Sequence, residues 1–178
     1  MKFRLVGAGL MAVCLGTLGL YAQQITKQNV PGIGNLALIE TTVACSGAIT
    51  PEVVPKIKTM GFVSIINLRE SSEPGANVEA EEVAAKAVGL RYYHIPFNGQ
   101  SPDPQAAAEF LDAITAPGSE PAFIHCSGGN RAAAMWLIKK LVIDHWDEEQ
   151  AEKEAKQLGL TSPKLEQWAV DYAKSHRR

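Results

Sequence analysis

The sequence predicts an α/β domain with a mostly parallel central sheet of four to five strands and helices on both faces. Short apolar segments of strand length, FVSIINL at 62–68 and PAFIH at 121–125, alternate with longer segments of helical spacing. Such near-continuous apolar runs are the mark of strands covered on both faces. The links between strands and helices are short, and strands alternating with helices across short loops build parallel sheets. At 178 residues, 46% of them hydrophobic, the chain has material for one ordinary core.

Residues 1–22 stand apart. Lys2 and Arg4 precede an apolar run from Leu5 to Leu20, and the small residue Ala22 comes just before two glutamines. That is the pattern of a secretory signal peptide, so export to the periplasm or beyond is expected. The alternative is an uncleaved anchor, since the run approaches spanning length, and this is the one route to a membrane. Cys14 follows Val13 where a lipidation site would carry a small residue, so no lipid anchor is read. Formal net charge is −2, or −4 once Lys2 and Arg4 are removed, which leaves no basic field for nucleic acid.

Residues 23–35 are polar, with Pro31, Gly32 and Gly34, and read as a linker or extended lead-in to a domain over 36–178. Leu36 to Ile39 and Thr42 to Cys45 read as a hairpin at one sheet edge. Thr50 and Pro51 open a helix that Gly61 ends and Pro55 shortens or bends. After the strand to Leu68, the SSEPG segment is a loop. Asn77 opens a helix with Val78, Val83, Ala84, Ala87 and Val88 near one face, and Arg91 to Pro96 returns as a strand. Asp103 and Pro104 pair as N-cap and first residue of a helix through Ile114. The helix from Arg131 carries Met135, Leu137, Ile138, Leu141 and Val142. Asp147 caps Glu148 to Leu158, whose charges read as a solvated face, and Ser162-Pro163 opens a last helix bearing Leu165, Trp168, Ala169 and Tyr172.

Chemistry concentrates between Pro121 and Lys140, where a buried strand runs through a glycine-bearing loop into a helix. Such a loop turns backbone N–H groups toward one point and the helix dipole adds positive charge, so an anion binds readily. Gly128 and Gly129 let the backbone curl, and the same field beside Arg131 favours the nucleophilic thiolate of Cys126. Arg131 can grip an oxyanion through two parallel N–H bonds. Ser127 and Asn130 either donate to that anion or brace the loop. Elsewhere the sequence is quieter. His94, His145 and His176 are scattered and no Cys-x-x-Cys occurs, so no metal is expected. Trp136, Trp146 and Trp168 read as packing groups, and Arg69 with Glu70 as a solvated loop pair.

His125, Cys126 and Arg131, as HC(x)nR, resemble the signature loop of protein tyrosine and dual-specificity phosphatases. SGAITPEVVPKIKTMGFVSIINLRE, GLRYYHIPF and HWDEEQAEKEAKQLGL are similar, in order, to segments of the compact bacterial members, so the likeness runs from about Leu36 to Leu160. The resemblance implies a cysteine-phosphatase-like fold and no cofactor. It implies Cys126 as nucleophile through a thiophosphoryl intermediate. The loop 127–130 and Arg131 would hold the phosphoryl group of a small phosphorylated substrate or phosphoprotein. His125 would support the thiolate, or else be a core histidine satisfied by backbone.

Three departures accompany the likeness. Only Ser127, Gly128, Gly129 and Asn130 separate Cys126 from Arg131, a spacing that also resembles the rhodanese loop and its persulfide. Ala132 replaces the hydroxyl residue that follows the family's arginine. Asn98 stands where the family carries its acid, and Asp103, five residues on, is a helix cap or a substitute proton donor. Weak phosphatase activity, sulfur transfer on a sulfur-bearing anion, and a non-catalytic anion-binding module are the readings that follow. Removal of the leader leaves Cys45 and Cys126 in an oxidising compartment, where they form a redox switch, a structural bridge, or two thiols that never meet.

Overall fold

The computed structural model describes residues 24–39 and 42–176; the expected signal peptide lies outside them. Six strands alternate with six helices: β1 (Ile25–Val30), β2 (Ile33–Ile39), β3 (Val43–Ser46), α1 (Val54–Thr59), β4 (Ser64–Asn67), α2 (Val78–Ala87), β5 (Arg91–His94), α3 (Pro104–Thr115), β6 (Ala122–His125), α4 (Asn130–Val142), α5 (Glu148–Leu158) and α6 (Pro163–His176). The sheet order is β1-β2-β3-β6-β4-β5. Strands β3, β6, β4 and β5 run parallel, whereas β1 and β2 add antiparallel to β3.

The sheet therefore has more strands than expected, and the difference lies at 23–35. The segment read as a linker or extended lead-in is extended and paired: Ile25–Val30 pairs with Ile33–Ile39 around a turn at Pro31-Gly32, where Gly32 has φ 85°. The β2–β3 hairpin forms as expected, but β1 takes the edge that the sequence assigned to it.

The parallel strands bury both faces because their side chains alternate. Ile65 and Phe123 join Ile57, Phe62 and Leu90 under α1 and α2. Their neighbours Ile66 and Ile124 join Phe110, Trp136, Leu158 and Val170 under the other helices. A period of two with both sets apolar reads as a continuous apolar run, which is why these strands were legible.

Three helices depart from expectation. Pro51–Val53 is a 3-10 turn without a side-chain cap from Thr50, and Pro55 sits in the first turn of α1, where its missing N–H is harmless. In α2 the inward residues are Glu81 and Ala85, whereas Val83 is 68% exposed. In α5, Glu154 is not part of a solvated face. It is buried, accepts from Trp136 Nε1 at 2.7 Å and lies 3.7 Å from Lys140 Nζ. Helix α4 is buried on every side from Arg131 to Leu141, with α5 and α6 packed against it.

Candidate active site

The loop from Cys126 to Gly129 joins β6 to α4 at the carboxyl end of the sheet. Its outer side is tied down. Ala48 N donates to Ser127 O at 3.0 Å and Asn35 Nδ2 to Gly128 O at 3.2 Å, while Cys126 N donates to Ser46 O at 3.2 Å. In a trans peptide the N–H opposes the carbonyl, so outward carbonyls at 127 and 128 turn the amides of Gly128 and Gly129 inward. Gly129 completes the curl at φ 103°, a value unfavourable for other residues. Gly47 lets β3 approach; a Cβ there would stand 3.0 Å from Ser127 O.

Cys126 sits at the base of this curl, 1% exposed, with its Sγ accepting from Gly129 N at 3.1 Å. Arg131 folds back over it. Its Nη2 donates to Ser127 Oγ at 3.0 Å, and its Nη1 to the carbonyls of Leu68 and Phe97 at 3.1 and 2.9 Å. Both terminal nitrogens also reach Glu73, at 2.6 and 2.8 Å. Burial pulls the guanidinium pKa down, but Glu73 and Cys126 outweigh it, and the net direction is upward. Burial likewise pushes the Glu73 carboxyl up, yet hydrogen bonds from Arg131, the Glu70 backbone and Arg69 hold it at about 2.

Arg69 is therefore no solvated partner of Glu70. It is 3% exposed, and it donates to Gly75 O and Pro74 O, each at 2.7 Å, and to Glu73 at 3.3 Å. The SSEPG loop is wrapped around this side chain, which is the physical reason the expectation failed.

Behind Cys126, His125 and Glu81 are both fully buried, with Nε2 3.2 Å from Oε2. The contact is close enough for an ion pair but is not aligned as a hydrogen bond. Glu81 Oε2 also accepts from Asn67 Nδ2 at 2.9 Å and Tyr92 OH at 3.0 Å. Tyr92 is accordingly held as the phenol, its pKa raised by burial and further by Glu81. His125 thus faces a carboxylate rather than the backbone.

Beside Arg131 opens a cavity of about 350 Å³ lined by Glu70, Glu73, Asn98, Ser127, Asn130 and Arg131, among others. A second, of about 670 Å³, lies on the other side of the loop between Lys27, Asn35, Gly128 and Thr161. Asn130 separates the two, and its Oδ1 accepts from Thr161 N at 2.7 Å and Ser162 N at 2.9 Å, bracing the loop. Asn98 Oδ1 accepts from Gln100 N and Ser101 N, at 2.9 and 3.3 Å, and its Nδ2 points at Glu70. Asp103 is exposed, caps α3 by accepting from Gln105 N at 2.9 Å, and is not among the lining residues.

Cys45 and Cys126, for which the sequence left a redox switch, a bridge or two separate thiols open, are free thiols in this structure. Cys45 is paired in register with Ile124, two residues short of Cys126. Burial pushes its thiol pKa far up, with the charges of Cys126 and Glu154 adding to the effect. It stays a neutral apolar group.

Two residues of this site escaped the sequence. Glu73 lay in a loop, where its spacing of four from Arg69 was the one hint. Glu81 was an acidic residue on an otherwise apolar helix stripe.

A family model, that of the phosphatase-like domain of beta-lactamase hydrolase-like protein, matches residues 35–142. The beta-lactamase hydrolase-like protein of Agrobacterium fabrum is 35% identical over 86 residues, 47% of this chain and 20% of that one. This chain thus spans about a fifth of that relative's length. Among solved structures, a putative phosphatase from Shewanella putrefaciens superposes with TM-score 0.68 at 21% identity, covering 83% of this chain and 96% of that one. A cysteine-to-serine variant of P. aeruginosa TpbA in complex with phosphotyrosine gives 0.61 at 17% identity, covering 83% and 88%. The fold is that of the cysteine phosphatases.

Proposed function

This chain belongs to the phosphatase-like domain family of beta-lactamase hydrolase-like proteins, and from that premise we propose that it hydrolyses phosphomonoesters through Cys126. The observation that carries the reading is the curl of the loop around the thiol, with Cys126 Sγ 3.1 Å from Gly129 N and Arg131 folded over the same loop. Cys126 attacks phosphorus. The amides of Gly128 and Gly129 and the guanidinium of Arg131 hold the phosphoryl oxygens as charge builds on them. Water then breaks the S–P bond and releases phosphate. Arg131 is fixed by four partners before any substrate arrives, so little reorganisation accompanies binding.

The substrate is a small phosphomonoester or a phosphorylated side chain, in keeping with the phosphotyrosine bound by the TpbA variant. The leader-like segment 1–22 supports an exported site of action. Ala132 supplies no hydroxyl to the departing thiolate, so turnover is slow.

The test is phosphate release from p-nitrophenyl phosphate by the native protein beside Cys126→Ser. Release by the native protein that disappears in the variant is expected. No release, or release undiminished in the variant, sinks the proposal. Thiosulfate with cyanide, and vanadate binding, would then separate a sulfurtransferase from an anion-binding module.

A further inference from the structure

Breaking the ester bond leaves an alkoxide or phenoxide that needs a proton, and a positioned acid contributes about 10²- to 10⁴-fold to that step. Among the described residues lining the cavity, the carboxylates are Glu70 and Glu73. Glu73 spends both oxygens on Arg131 and its carboxyl is held at about 2, so it carries no proton near neutral pH. Asn98 has no acidic proton to give, and Asp103 faces Gln105 outside the cavity.

We propose that Glu70 is the general acid: it lines the anion cavity beside Arg131, and Asn98, in the family's acid position, positions it. The inference rests on the phosphatase reading above. Glu70 is half-buried, and two contacts fix it. Its backbone N donates to Glu73 Oε1 at 2.9 Å, which fastens it to the Arg131 pair. Its carboxylate accepts from Asn98 Nδ2 at 3.3 and 3.5 Å, and Asn98 is itself held by Gln100 N and Ser101 N.

The charged groups around the cavity are Glu73 and Arg131 in its wall and Lys164 at its rim, where Nζ donates to Gln100 O. Arg131 is already matched by Glu73, so a phosphoryl dianion entering the loop adds unbalanced negative charge beside Glu70.

In the first step the Cys126 thiolate forms the S–P bond and the P–O bond to the leaving group breaks. The released electron pair stays on the leaving oxygen, which takes the proton of Glu70. In the second step water oxygen bonds to phosphorus, the S–P electron pair returns to Cys126, and the proton of the water passes to the Glu70 carboxylate. Both groups end as they began.

The experiment compares phenyl phosphate, a poor leaving group, with 2,4-dinitrophenyl phosphate, a good one, for the native protein, Glu70→Gln and Glu70→Asp. For Glu70→Gln, kcat/KM, which reports the first step alone, should fall about 100-fold on phenyl phosphate while that on dinitrophenyl phosphate moves by less than about threefold. The basic limb of the kcat/KM–pH profile on phenyl phosphate should vanish, and Glu70→Asp should recover part of the loss. Equal loss on both substrates, or none, overturns the assignment; the ratio between substrates is indifferent to how much variant folds. Release from neither substrate by the native protein would remove the phosphatase reading itself, and Glu70 with it. Cys126-dependent release that ignores Glu70→Gln would remove only the present inference.

Discussion

Both carboxylate oxygens of Glu73 grip both terminal nitrogens of Arg131, at 2.6 and 2.8 Å, across 58 positions of sequence. The pair sets the direction of the cation over the thiol and keeps it there without a ligand. It is strengthened from the other side by Arg69, so one carboxylate orders both the clamp and the loop that carries it.

Glu73→Gln should lower stability at neutral pH by about 1.5–3 kcal/mol, the range for hydrogen bonds to charged groups. The folded carboxyl, at about 2, lies below the unfolded value of about 4.3. Its contribution is therefore complete above the unfolded value and is lost as pH falls through the folded one. Urea denaturation should show the native protein losing that increment between about pH 4.3 and 2, and Glu73→Gln lacking it. Identical acid profiles would count against the pair.

Arg131→Lys offers one compact ammonium in place of a planar fork and cannot serve Glu73, Leu68 O, Phe97 O and Ser127 Oγ together. Phosphate release should fall by about 10²- to 10³-fold, as on loss of a preorganised donor. Vanadate affinity should weaken in parallel. Unchanged kinetics would show that the loop amides suffice.

Gly47→Ala would place a methyl group 3.0 Å from Ser127 O and 3.2 Å from Gly34 O, both backbone atoms. A loss of about 1–3 kcal/mol is expected from that overpacking, with weaker anion binding as the loop is pushed. At Gly128 nothing lies within 4 Å of the added carbon, so Gly128→Ala should stay within about 0.5 kcal/mol. Thermal or urea unfolding of the two variants side by side checks the contrast.

Glu81→Ala would strand Asn67, Tyr92 and His125 in the interior and should cost about 3 kcal/mol. Glu81→Gln, whose amide oxygen still accepts, should cost less. Urea unfolding measures both, and equal losses would mean that the carboxylate does not hold the cluster together.

Cys45→Ala should leave phosphate release unchanged, with or without reductant, because Cys45 is an unbridged thiol with its pKa pushed up by burial. In native protein Cys45 should resist iodoacetamide and react only on unfolding. A Cys45–Cys126 peptide recovered by disulfide mapping would contradict this.

The juxtaposition of Cys126, the loop glycines and Arg131 was legible because it is local: Cys126 to Arg131 is one contiguous turn between a strand and a helix. The parallel strands were legible because two apolar faces leave no gap in the pattern. Glu73 was not, since its partner is remote and its loop carries no periodicity. Val83 left its expected inward place because α2 turns Glu81 inward against His125, an alignment that only the packed sheet creates. β1 was hidden by its own exposure: ITKQNV, with four of six residues open to solvent, carries almost no apolar alternation.

The hairpin of β1 and β2 also fixes the place of Ile25 in the sheet. Ile25 is in register with Ile39, Ile39 with Val43, and Val43 with Ala122, the first residue of the strand that ends at the signature loop. From Ala122 to Cys126 the chain advances roughly 13 Å at strand rise. Ile25 therefore lies at the end of the sheet away from the loop at Cys126. A label placed on Ile25 would stand clear of that loop.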